Sequence, residues 1–214
     1  MRPLEQLINV EDSAVVLLRE WFAAAVRPVE MLPPSEFRGE ALYQTQVTTR
    51  SPMGAVVYET GGILIDHGWL RILGSGNPRL RRTLPAWNHG RGDGFFLVAD
   101  DAIGGFFAMN GGALGPDPMN IYYLAPESLA WEPLKINYSQ FLAWAAQGKM
   151  DLFYEWIRWS GWEQDIAHLP GDRCFFFYPF LWNVEGDGAT SRRGDIPVQD
   201  AWYAAMEARK KLRI

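Results

Sequence analysis

Between residues 56 and 132 the chain repeats one pattern: a few apolar residues, a break rich in glycine or acid, then the next short apolar run. Val56-Val57-Tyr58 precedes Gly61-Gly62, Ile63-Leu64-Ile65 follows, and Trp69 to Leu73 ends at Gly74-Ser75-Gly76. Phe95 to Ala99 runs into Asp100-Asp101 and Gly104-Gly105. Phe106 to Met109 runs into Asn110-Gly111-Gly112, and Ile121–Leu124 and Ser128–Glu132 continue the series. Glycine and asparagine at the breaks supply the positive φ that tight turns need. Breaks this short connect neighbouring antiparallel strands, because a parallel pair needs a long crossover. The pattern therefore predicts sequential short strands in a mainly antiparallel sheet.

On either side the period is helical. After Asp12, the residues Ala14, Leu17, Leu18, Trp21, Phe22 and Ala25 recur at three- and four-residue spacing. Asp12 or Ser13 would cap that helix and Pro28 would stop it. A second helix is expected from about Ser35 to Gln46, with Phe37, Ala41 and Leu42 facing inward. Asn137 with Gln140 has capping-box spacing, and Gly148 closes the helix it opens. Leu152, Phe153, Trp156 and Ile157 mark the next. Pro197 opens the last, whose stripe is Val198, Ala201, Trp202, Ala205 and Met206. Helices, then strands, then helices place the chain in the α+β class, an antiparallel sheet packed against flanking helices. Its 214 residues fit one domain, 1–214, with 160–214 as a C-terminal elaboration that includes a late strand in Phe175–Trp182.

Composition excludes several classes. Hydrophobic residues make up 48% and charged residues 21%, a globular balance rather than a disordered one. One cysteine allows no internal disulfide and points to a reducing cytoplasm. The N-terminus lacks the build of a signal peptide. The longest apolar run, Phe175 to Trp182, is far short of the roughly 20 residues of a membrane helix. A net charge of −5 argues against nucleic acid as a partner. Arg209, Lys210, Lys211 and Arg213 suit the end of a helix, and Arg79, Arg81 and Arg82 read as a solvated loop. His67, His89 and His168 have no paired spacing, so no metal site is expected, and no cofactor either. Asp93 and Asp187 sit in Gly-Asp-Gly without the further oxygen ligands of a calcium loop. Cys174, among aromatics, reads as a buried structural thiol. Neither a nucleophile elbow, a phosphate loop nor a dinucleotide fingerprint is present.

Carboxylates remain the one enzymatic option. Asp100 and Asp101 are adjacent on a strand and so point to opposite faces. Asp66 could join either across neighbouring strands, and a glycosidase needs two carboxyls about 5–5.5 Å or about 6.5–9.5 Å apart across one cleft. Ten tryptophans make sugar stacking thinkable, but Trp21, Trp156 and Trp202 already have places on helix stripes expected to be buried.

Longer strings carry a resemblance. Gly61-Gly62-Ile63-Leu64-Ile65-Asp66-His67-Gly68-Trp69-Leu70-Arg71-Ile72-Leu73-Gly74-Ser75-Gly76 is one. Val98 to Gly115, with Asp100-Asp101 and Asn110-Gly111-Gly112, is another, followed by Ile121–Glu127, Trp131-Glu132, Tyr138–Phe141 and Phe153–Trp159. Together they resemble an uncharacterised bacterial domain family, over nearly the whole chain, with no activity to carry over. The order of turns, the Tyr-Tyr strand and the Ser-x-Phe-Leu helix also resembles the SUKH superfamily. That likeness implies an α+β fold and, for many bacterial members, an immunity protein that neutralises a toxin. It covers a shorter pattern, and this chain is longer than a minimal member. The resemblance implies a soluble, non-enzymatic, toxin-immunity-like protein-binding module, with a bacterial toxin domain as partner. Trp69 would then be an exposed anchor, and Asp66, Asp100, Asp101 and Asn110 would lie at the strand ends beside it. Asn110-Gly111-Gly112 is most simply a turn, and the aspartates could accept backbone hydrogen bonds in theirs. A ligand sensor with an aromatic pocket, a carboxylate-dependent hydrolase, and a homodimer joined at a sheet edge are the alternatives.

Overall fold

Seven strands lie side by side in chain order in the computed structural model, which describes residues 1–214: β1 (Val29–Leu32), β2 (Gly62–Ile65), β3 (Leu70–Leu73), β4 (Phe95–Asp101), β5 (Phe106–Asn110), β6 (Asn120–Leu124) and β7 (Trp131–Asn137). Every neighbouring pair is antiparallel. A separate antiparallel hairpin joins β8 (Arg173–Tyr178) to β9 (Arg192–Pro197). The helices are α1 (Leu4–Leu7), α2 (Val15–Ala23), α3 (Arg38–Thr45), α4 (Pro52–Glu59), α5 (Leu84–Asn88), α6 (Tyr138–Ala146), α7 (Met150–Tyr154), α8 (Trp162–His168) and α9 (Val198–Leu212). The α+β class and the antiparallel sheet are as expected. No helix is long and apolar enough to cross a membrane.

Several elements differ from the reading of the chain. Val56-Val57-Tyr58 is helical, not extended. Ser51 accepts the Gly54 N–H at 3.1 Å and Pro52 takes the first turn, so the cap overrides the β-branched pair. α2 begins at Val15 with Ala14 at the cap position rather than Asp12 or Ser13. The last helical cap is Pro197, with Val198 the first helical residue. Trp156 is 49% exposed and fills no core position. β1, α5, α8 and β9 occupy stretches for which the sequence pattern predicts no element. The capping box at Asn137 and Gln140 forms as expected.

Both faces of the large sheet are covered. Adjacent residues on a strand point oppositely, and β5 shows what each face meets. Phe107 packs against Phe141 of α6, ring centroids 5.0 Å apart. Phe106 meets Trp202 of α9, edge to face at 5.0 Å. A register shift between Leu97 and Ala99 in β4 pairs Asp100 with Phe106, and Asp100 also pairs with Arg71 of β3. Asp100 and Arg71 therefore share the α9 face, while Asp101 looks to the α6–α7 face. The core is a single cluster running from Leu7 to Ala205.

Candidate functional site

Between β2 and β3 the chain makes one tight turn, Asp66-His67-Gly68. All three residues are left-handed, with φ of 54°, 63° and 98°. Two successive non-glycine residues in that region cost roughly 1–3 kcal/mol each unless the surroundings hold them. The surroundings do so through Asp66. Its buried carboxylate accepts a hydrogen bond from Arg158 and lies 3.9 Å from Arg27. Arg27 and Arg158 are bound in turn by Asp151, each at 2.8 Å. Burial pushes the Asp66 carboxyl up, and Arg158 and Arg27 pull against it.

Trp69 follows the turn and is fully buried, which overturns its expected role as an exposed anchor. Its N–H closes the turn onto the Asp66 carbonyl at 3.0 Å. The ring faces inward among Tyr154, Trp159 and Trp162, at 5.2, 5.8 and 5.1 Å. The Arg158 guanidinium stacks over Trp162 at 4.1 Å. Burying so much aromatic surface outweighs any gain from exposing it.

The acidic residues of β4 are buried as well. Asp100 binds Arg71 at 2.6 Å and Arg82 on its other oxygen. Arg71 also donates to the Arg173 carbonyl at 2.5 Å and to that of Asp101. Arg82 continues to Asp172 at 3.0 Å and to the Gly171 carbonyl at 2.8 Å. On the opposite face Asp101 accepts from the hydroxyls of Tyr123 (2.7 Å) and Tyr154 (2.9 Å) and from the N–H groups of Ile103 (3.1 Å) and Gly105 (2.7 Å). Burial raises its pKa, and those hydrogen bonds oppose the rise. Both tyrosines are held well above the usual phenol range, first by burial and then by Asp101. Asn110 is a turn organiser. Its Oδ1 accepts the N–H groups of Gly112 and Leu114 at 2.7 and 3.0 Å, and its Nδ2 donates to the carbonyls of Gly115 and Asp117.

Asp66, Asp100, Asp101, Asn110 and Trp69 are thus all buried, and they do not form an exposed edge. The three carboxylates sit in three separate arginine or tyrosine clusters, with no shared cleft between two of them. That arrangement removes the glycosidase-like pair, because each group is already consumed by its own donors. Cys174 is buried and its thiol is pushed up to about 12 by burial, so it is an inert packing residue. No group of three or more His, Cys, Asp or Glu side chains converges. An apolar cavity bordered by Ile103, Leu129 and Phe177 holds about 20 Å³, room for about one water.

What reaches solvent is a feature that the sequence reading missed. Between Gly61 and Gly76 every residue is buried except His67. His67 stands at the rim of an open cleft of about 720 Å³ that is also lined by Arg71, Arg79, Arg81, His168 and Asp172. The supposed solvated arginine loop supplies one wall, and the α8–β8 connection supplies the other. Asp172 ties the walls together by accepting the N–H groups of Arg81 at 2.9 Å and Arg82 at 3.4 Å. They press closest at Gly171, where a Cβ would lie 2.3 Å from the Arg79 carbonyl oxygen, so only glycine fits. The clustering of Arg79, Arg81 and Arg82 was the one available signal. Nothing in the spacing showed that Arg82 turns inward while Arg79 and Arg81 stay at the surface.

The comparisons with known proteins agree with this molecule's long signature strings. The family model described as "Protein of unknown function DUF2625" matches residues 4–201. The chain is 48% identical over 206 residues to the putative uncharacterized protein YbfG of Escherichia coli (strain K12), covering 94% of each. It is 44% identical over 189 residues to an uncharacterized protein of Haemophilus influenzae, covering 85% of this chain and 83% of that one. No solved structure matches it.

Proposed function

The chain belongs to the DUF2625 family, and from that premise we propose that it is a non-enzymatic binding protein whose contact surface is the cleft over the Asp66-His67-Gly68 turn. One observation carries the reading. In a signature segment otherwise wholly buried, His67 alone is presented to solvent, on a strained backbone anchored from below by Asp66. Strain held in place by a buried ion pair is a feature of sites rather than of ordinary turns.

The partner we propose is a protein, in the manner of toxin immunity, and the likeness of the turn and strand order to the SUKH pattern supports that choice. The sequestered carboxylates favour binding over hydrolysis. The chemistry of the contact differs from the acidic edge first expected: the residues offered to a partner here are histidine and arginine, so the complementary surface is acidic. A cytoplasmic location is part of the same proposal, motivated by the single buried thiol.

Affinity capture from the encoding bacterium, run in parallel with the wild-type chain and the Arg81→Glu and His67→Ala variants, tests this reading. A stoichiometric protein retained by the wild type and lost from Arg81→Glu is expected. A partner held equally by all three chains would place the contact elsewhere and overturn the assignment of the cleft.

A further inference from the structure

We infer that the cleft between the 76–83 loop and the α8–β8 connection binds an oxyanion, a carboxylate or phosphate group, through Arg81 and Arg79 with His67 and His168 at its rim. The inference rests on reading this cleft as a contact surface, and it adds the chemistry of what is held there.

The charge balance is local. Three arginines and one aspartate line the cleft, on a chain whose net charge is −5. The aspartate is not free: Asp172 is occupied by the Arg81 N–H, the Arg82 N–H and the Arg82 Nε. The exposed Arg81 guanidinium has neither a hydrogen bond nor an ion pair, although its backbone N–H is fixed. Arg79 reaches away to Glu30, an exposed pair of the kind that yields readily to a better partner. At the floor Arg71 is 1% exposed, and its Nε has no hydrogen-bond partner. His168 donates its Nδ1–H to the Gln164 carbonyl at 2.7 Å, which leaves Nε2 unengaged.

Geometry and chemistry agree on the ligand class. The guanidinium fork matches the two oxygens of a carboxylate or phosphate. The walls are already pinned by Asp172 and by the close approach at Gly171, so little ordering is left to oppose binding. No Phe, Tyr or Trp ring lines the cleft, so it lacks the broad stacking platform on which single-stranded nucleic acid is usually held.

Isothermal titration calorimetry of the full chain at low ionic strength, with inorganic phosphate and separately with citrate, tests the inference. Saturable binding of at least one anion is expected, weakened at least tenfold in Arg81→Ala and severalfold in His67→Ala. Arg50→Ala, which removes an exposed arginine paired with Asp12 outside the cleft, should bind as the wild type does. Because the Arg81 guanidinium supports nothing in the fold, Arg81→Ala should keep the wild-type melting temperature, which separates lost binding from lost structure. Saturable binding of phosphate alone identifies a phosphoryl ligand, and of citrate alone a carboxylate. Absence of saturable binding by both, or binding undiminished in Arg81→Ala, overturns the inference. A captured partner that depends on Arg81 while both anions fail would leave the protein-binding reading standing and sink this one. Anion binding without any partner would do the reverse.

Discussion

His67 has φ 63° and ψ 9°, a conformation that glycine adopts freely and histidine does not. His67→Gly should therefore stabilise the fold by about 1 kcal/mol in urea unfolding, while weakening whatever the cleft holds. A variant that loses stability would show that the imidazole supports the turn instead of straining it. Glu127 makes a different point. Its Oε2 is buried without a hydrogen-bond partner, and burial pushes its carboxyl up to about 7. The folded chain then holds this proton to a higher pH than the unfolded chain does, whose glutamate titrates near ~4.3. The stability this contributes is intact below the unfolded value and is lost as the pH rises through about 7. Glu127→Gln should match the wild type near pH 4 and melt at a higher temperature at pH 8, and equal melting at both pH values would refute the assignment. At this scale the sequence marked Asp66, Asp100, Asp101 and Asn110 as places where the chain turns. It could not supply their partners, because Arg158 lies 92 residues from Asp66 and Arg82 lies 18 from Asp100. Long-range pairing leaves no periodic trace, so residues read as an exposed edge are in fact buried, each in its own part of the framework.

Among the elements, those with strong local signals were legible. The sequential strands from β2 to β6 follow from glycine breaks and apolar runs, and α6 and α9 follow from their caps and stripes. Val56-Val57-Tyr58 misleads because β-branched and aromatic residues favour strands, while the decisive residues, Ser51 and Pro52, stand several positions upstream. β1 and β9 pass unnoticed because one is bordered by prolines and the other is mostly polar: each becomes a strand by pairing with a neighbour already in place. α9 shows how an element fixes a face. Trp202 is 2% exposed and sits edge-on to Phe106 in the sheet. Trp202→Ala should cost about 3–5 kcal/mol, read as a lower midpoint in guanidinium with the slope preserved. A loss below ~1 kcal/mol would mean that α9 packs only loosely on the sheet.

Taken whole, the molecule is tied together across its length. The β8–β9 hairpin and α9 cover the face on which Asp100, Arg71 and Arg82 lie, and Asp172 and the Arg173 carbonyl complete the partners of those arginines. A chain ending at Pro170 should fail to unfold cooperatively and should bind a hydrophobic dye, since it exposes Phe106 and leaves Arg71 and Arg82 with Asp100 but without their acceptors at Gly171, Asp172 and Arg173. A sharp thermal transition in that fragment would contradict the description. The same dependence bears on the order in which the chain is made. Each strand of the large sheet pairs with the one just synthesised, so the meander can assemble as it leaves the ribosome. Its central arginine cannot be fully satisfied then, because the carbonyl that receives Arg71 arrives 102 residues later. Until Arg173 has been made, that guanidinium has Asp100 and the Asp101 carbonyl but lacks its third acceptor, and the sheet stays open on one side. A product terminated before that point would therefore be distinguishable by its exposed apolar face, and the cleft, whose second wall is residues 166–172, would exist only on chains that extend past it.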